Sequence, residues 1–240
     1  MNMRGKEGFT LLEVMVAVAL MGVIMTLIWS SSSQTLRSKD RTEARDTIFH
    51  SGQVGLRKIA DDVSAAFLTK AAAAAGEDAA AAGSAAAQSA GAKRFQTFFI
   101  GEDRGEQDSL RFTSLARVRL VKNSKECDQT RIAYAVVPNQ EDPKLFDITR
   151  TEQPWLAQST EVEGRSFKLL EGVQSFNIEY YDERKREWTK EWNTTKADDS
   201  EKLPMAAKFN IVFPDPDGLD EGIPLSTAVG IEMWQSPIEL

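Results

Sequence analysis

At 240 residues the chain leaves about 170–200 residues for one folded domain after an N-terminal segment is set aside. Its 29 basic and 36 acidic residues form no long block of either sign, so the electrostatic footprint of a nucleic-acid binder is missing. A single cysteine, Cys127, excludes an intrachain disulfide, and a single histidine, His50, leaves histidine-based triads and most zinc sites without their parts.

Residues 1–8 form a short leader carrying Arg4 and Lys6 and ending in Gly8. Residues 9–29, FTLLEVMVAVALMGVIMTLIW, are 21 residues with one charge, Glu13, long enough as a helix to cross roughly 30 Å of hydrocarbon. The run is too long for a secretory signal core, no small-x-small site follows it, and an acid lies inside it. Any cut therefore falls before the apolar helix, which stays on the mature protein.

The string Gly8-Phe9-Thr10-Leu11-Leu12-Glu13-Val14 resembles the cleavage and methylation motif of type IV prepilins and type II secretion pseudopilins. The resemblance implies that a prepilin peptidase cuts the Gly8-Phe9 bond and that Phe9 becomes the methylated N-terminus. Glycine suits such a site because a peptidase can approach its backbone closely. An acid in a membrane helix costs up to about 2.5–3.5 kcal/mol at the centre, so Glu13 calls for a partner. The resemblance supplies one in the N-terminal amine of a neighbouring subunit, which would set the axial register; an acid snorkelling at the interface without a partner is the alternative. Arg37, Lys39, Arg41 and Arg45 follow the span, so flanking charge does not favour a cytoplasmic leader. The resemblance nevertheless implies a single pass through a bacterial inner membrane, N-terminus cytoplasmic and head periplasmic.

Residues 30–70 read as a stalk helix continuing into the head, helical from Ser30 to Thr69, with His50 at an exposed position. Ile48, Leu56, Ile59, Val63 and Phe67 form one packing face. Gly52 and Gly55 on that face either admit a sheet closely or weaken the helix. Residues 71–92 hold 14 alanines and no large side chain, and so read as a low-complexity insertion unable to anchor a core.

Over 93–240 the period changes to two, in TFFIG, SLRFTSLARV, RIAYAVV, KLFDITRT, SFKLLEG, SFNIEYY, EWTKEW, AAKFNIVF and STAVGIEMW. The predicted fold class is α+β: a long N-terminal transmembrane and stalk helix packed on a mainly antiparallel β head, a sandwich or open barrel. Phe176, Tyr180, Trp188 and Trp192 are expected in the sheet core.

Gly172–Trp192, Leu203–Phe213 and the helical LRKIADDV are similar to the J-type minor pseudopilins of type II secretion. That similarity implies a non-enzymatic subunit without a cofactor. Its partners would be I-type and K-type minor pseudopilins and other pseudopilins at a filament tip, with secretin and secreted cargo as further contacts. A minor pilin of a type IV pilus and a membrane-tethered periplasmic ligand-binding protein are the alternatives. Asp215, Asp217, Asp220 and Glu221 offer oxygen ligands near a turn but lack full calcium-loop spacing, and an acidic hairpin turn fits them better.

Overall fold

The computed structural model describes residues 10–69, 96–117, 128–157, 159–196, 202–216, 218 and 222–235. Gly8 and Phe9, the alanine-rich stretch 71–92, Cys127, and Asp217, Asp220 and Glu221 lie outside them. The chain divides into two compact units, Met1–Thr47 and Ile48–Leu240.

Helix α1 runs Leu11–Ser64. In the first unit it is exposed at every residue from Leu11 to Ser32, and fourteen large apolar side chains between Leu11 and Trp29 lie open. Keeping so much apolar surface in water costs on the order of 20 kcal/mol. Hydrocarbon removes that cost, and this stretch is long and apolar enough to cross a membrane. Past Trp29 the helix turns polar. Hydroxyls of Ser33, Thr35, Thr42 and Thr47 donate to carbonyls three or four residues back, and Lys39 pairs with Glu43 at 3.3 Å.

Among the described residues, the second unit holds the last turns of α1 and ten strands. One sheet has the order β5-β4-β3-β2-β1-β8, formed by β1 (Phe99–Glu102), β2 (Ser109–Ser114), β3 (Thr130–Pro138), β4 (Phe146–Gln153), β5 (Arg165–Val173) and β8 (Trp192–Asn193). The other has the order β10-β9-β6-β7, from β6 (Ser175–Asp182), β7 (Glu187–Thr189), β9 (Ala206–Phe213) and β10 (Ile223–Gly230). All the ladders are antiparallel. The alternation expected from the sequence is present: β6 buries Phe176, Ile178 and Tyr180, and β9 buries Ala207, Phe209, Ile211 and Phe213. Pro224 is tolerated in β10 because that strand is an edge.

Leu56, Ile59 and Val63 of α1 enter one core with residues of both sheets, including Phe112, Ile132, Ile148, Phe176 and Phe209. Gly52 and Gly55 admit the sheets closely. A Cβ on Gly55 would lie 2.6 Å from Leu170, and one on Gly52 would run into Leu225. Close approach, not helix weakening, is what these glycines supply.

Three expectations need correction. The helix stops at Ser64, short of Thr69, because Ala65–Phe67 leaves it to bond with β2: Phe67 N–H donates to Thr113 O at 3.1 Å and Leu115 N–H to Ala65 O at 2.9 Å. Ser114 Oγ donates to the helix-end carbonyl of Asp62 at 2.8 Å, satisfying an acceptor orphaned where the helix ends. EWTKEW, read as one strand, splits into β7 and β8 in different sheets, since Trp192 is drawn to the β1 edge while Trp188 stays beside β6. Phe176, Tyr180 and Trp192 are buried as expected, but Trp188 is exposed and packs its ring 5.3 Å from Tyr181.

Candidate functional site

The first turn of α1 is built by its own residues. Glu13 N–H donates to Thr10 Oγ1 at 3.3 Å and to Thr10 O at 3.1 Å, making Thr10 the N-cap of Thr10-Leu11-Leu12-Glu13. Glu13 thus sits where the partial positive charge of the helix N-terminus favours an anion. Around it Leu11, Leu12 and Val14 are exposed, so the acid is set in an apolar surface that a membrane or neighbouring helices can cover.

The head end of α1 carries a second polar feature. Asp62 is fully buried, yet its carboxylate accepts from the Tyr134 hydroxyl at 2.6 Å, Arg150 Nε at 2.6 Å and Lys58 Nζ at 2.9 Å. Arg150 Nη1 reaches Glu152 at 2.6 Å, and Arg117 Nη1 holds the other oxygen of Glu152 at 2.9 Å. Burial and the Asp62 charge push the Tyr134 hydroxyl well above the ordinary tyrosine range, so it stays a donor. Burial works against the Arg150 charge, but its bonds to Asp62 and Glu152 outweigh burial and raise its pKa. A buried charge needs such a complete set of partners, and this one pins a particular turn of α1 to particular residues of β3 and β4. Apolar periodicity did not reveal it. The available signal was Asp62 itself, an acid wedged between Ile59 and Val63 on the packing face, with Lys58 one turn before it.

Of the loop acids considered as cation ligands, only Asp215 lies among the described residues. It is buried, and its carbonyl accepts from Gly218 N–H at 3.0 Å in a tight turn. Among the described residues no group of three or more metal-type side chains comes together. His50 is exposed on the helix, as expected. Gly8 and Phe9 are not among the residues described.

A family model described as "Type II secretion system (T2SS), protein J" matches residues 30–217. A second, "Prokaryotic N-terminal methylation motif", matches residues 3–29. No curated protein matches the chain. Among solved structures, a chain of the GspK-GspI-GspJ complex from the enterotoxigenic Escherichia coli Type 2 Secretion System is similar at 12% identity and a TM-score of 0.48. The match covers 76% of this chain and 96% of that one.

Proposed function

Because the chain belongs to the family of type II secretion system protein J, we propose that it serves as a membrane-anchored minor pseudopilin at the tip of a pseudopilus, assembled with I-type and K-type subunits. The match of residues 30–217 to that family carries the reading, and the methylation-motif match at residues 3–29 supports its processing.

In this proposal a prepilin peptidase cuts between Gly8 and Phe9, and Phe9 becomes the methylated N-terminus. Glu13 pairs with the amine of a neighbouring subunit, neutralising both charges in lipid. The apolar helix stays in the inner membrane with its start toward the cytoplasm, and the head lies in the periplasm. Phe49 and Val54 are both exposed on α1, apolar side chains on different faces that adjacent helices can cover. The chain performs no catalytic step; it starts assembly and presents a head surface to secretin and cargo.

A deletion strain tests this. The full chain is expected to restore export of the organism's type II secreted proteins, whereas Gly8→Leu is expected to leave the unprocessed chain and a periplasmic pool of exoprotein. Normal export without the chain contradicts the proposal.

A further inference from the structure

β5 is the last strand of the six-stranded sheet, and its two ends differ. Leu170 and Val173 are buried, whereas Arg165, Ser166, Phe167 and Lys168 are all exposed although they alternate between the two faces. A stretch open on both faces and along its outer edge presents backbone N–H and C=O groups that no neighbouring strand among the described residues covers. Beside it lies a cleft of about 520 Å³ whose walls include Trp155, Phe167, Arg165, Arg117 and Glu152. Trp155 is 56% exposed and Phe167 43%, placing two large aromatic faces beside an open strand edge.

The charge of the cleft is set by Glu152. One of its oxygens is held by Arg117 and the other by Arg150, whose guanidinium also lies 5.5 Å from the Phe167 ring. This acid therefore has little left to offer Arg165, which pairs with no acid among the described residues although it sits opposite Glu152 in the ladder. The site combines an exposed guanidinium, two aromatic faces and a free strand edge.

We propose that this edge docks an extended segment of a partner protein, added as a further strand along Arg165–Lys168, with an apolar side chain between Trp155 and Phe167 and an acidic one against Arg165. Strand addition takes its affinity from main-chain hydrogen bonds and its selectivity from alternate side chains, and both sources are present. A second copy of this chain is the poorer occupant. Antiparallel pairing of two β5 edges centred on Ser166 sets Phe167 opposite Arg165, and centring on Phe167 sets Leu169 there, so a second copy brings Arg165 no acid. The inference goes beyond the tip-complex reading and does not depend on it.

The test uses the full chain in detergent micelles and a dye-labelled peptide of about ten residues, alternating Val and Thr with one Glu, read by fluorescence anisotropy. Two companion peptides carry Lys in place of Glu, or N-methyl groups on alternate amides. The Glu peptide is expected to saturate and to weaken with salt, the Lys peptide to bind roughly tenfold worse, and the N-methylated peptide not to bind. Arg165→Glu is expected to reverse the Glu-over-Lys preference, and Trp155→Ala to weaken Glu-peptide binding roughly tenfold. Both side chains are exposed, and unchanged circular dichroism is the check on folding. Equal binding of the Glu and Lys peptides to the wild-type chain overturns the proposal, as does no saturable binding. Dimerisation that Arg165→Glu abolishes would make a second copy the occupant and overturn it too.

Discussion

Replacing Asp62 with alanine removes the carboxylate that the Tyr134 hydroxyl and Arg150 Nε both meet at 2.6 Å inside the head. Breaking a buried pair by deleting one partner costs about 3–5 kcal/mol, because the other charge stays buried. Arg150 keeps Glu152 at 2.6 Å, which puts the expected cost near the lower end, about 3 kcal/mol. Lys58 contributes little to this figure, since its side chain is 42% exposed and such pairs are worth about 1 kcal/mol at most. With a urea slope of about 2 kcal/mol/M, the unfolding midpoint of the full chain in detergent should fall by roughly 1.5 M. The double variant Asp62→Leu/Arg150→Met, which removes both charges and fills the space, should recover most of the loss. A cost below about 1 kcal/mol for Asp62→Ala, or strictly additive single and double variants, would refute the claim that this network pins the helix.

Other expected outcomes follow from neighbouring contacts. Gly55→Ala gains up to about 1 kcal/mol of helix propensity but drives a Cβ to 2.6 Å from Leu170, so it should be destabilising overall by urea unfolding; a stabilised variant contradicts the close approach. Tyr180 buries a hydroxyl with no hydrogen-bond partner among the described residues, so Tyr180→Phe should be neutral or raise stability by about 1 kcal/mol in the same assay. Asp147 is pushed up by burial, but bonds from Asn139 at 2.6 Å and from Gly172 N–H and Lys168 at 3.1 Å hold it below the usual aspartate range. A depressed folded pKa adds stability above the unfolded value, about 3.9, that disappears as pH falls through the folded value. Asp147→Asn should therefore lower stability at neutral pH and flatten its decline below about pH 4, and an unchanged acid limb would contradict this.

The parts of the fold legible in the sequence were those fixed by neighbours in the chain. An unbroken apolar run from Phe9 to Trp29 with one acid needs no tertiary information to be read as a membrane helix. Period-two alternation in SFNIEYY and AAKFNIVF likewise announced the two central strands of the smaller sheet. What stayed hidden depends on distant residues. Asp62 meets partners 72 and 88 positions away, so periodicity shows only an acid at an awkward place on the packing face. The helix end is set by Ser114 and Thr113 of β2, whose side-chain and backbone bonds outweigh the local preference to continue toward Thr69. Trp188 and Trp192 carry the same local signal, and only the choice of sheet separates them. At the N-terminus, Glu13 was legible as an oddity of the apolar run, whereas the Thr10 cap on its N–H was missed, although the Thr-x-x-Glu spacing carried that signal.

The most direct test of the central claim is co-purification of the full-length chain from detergent-solubilised membranes with the I-type and K-type pseudopilins encoded by the same organism, read by size exclusion and mass spectrometry. The account predicts one complex holding all three in equal amounts. Elution of this chain alone, or with pilus subunits in their place, would contradict its role at a pseudopilus tip.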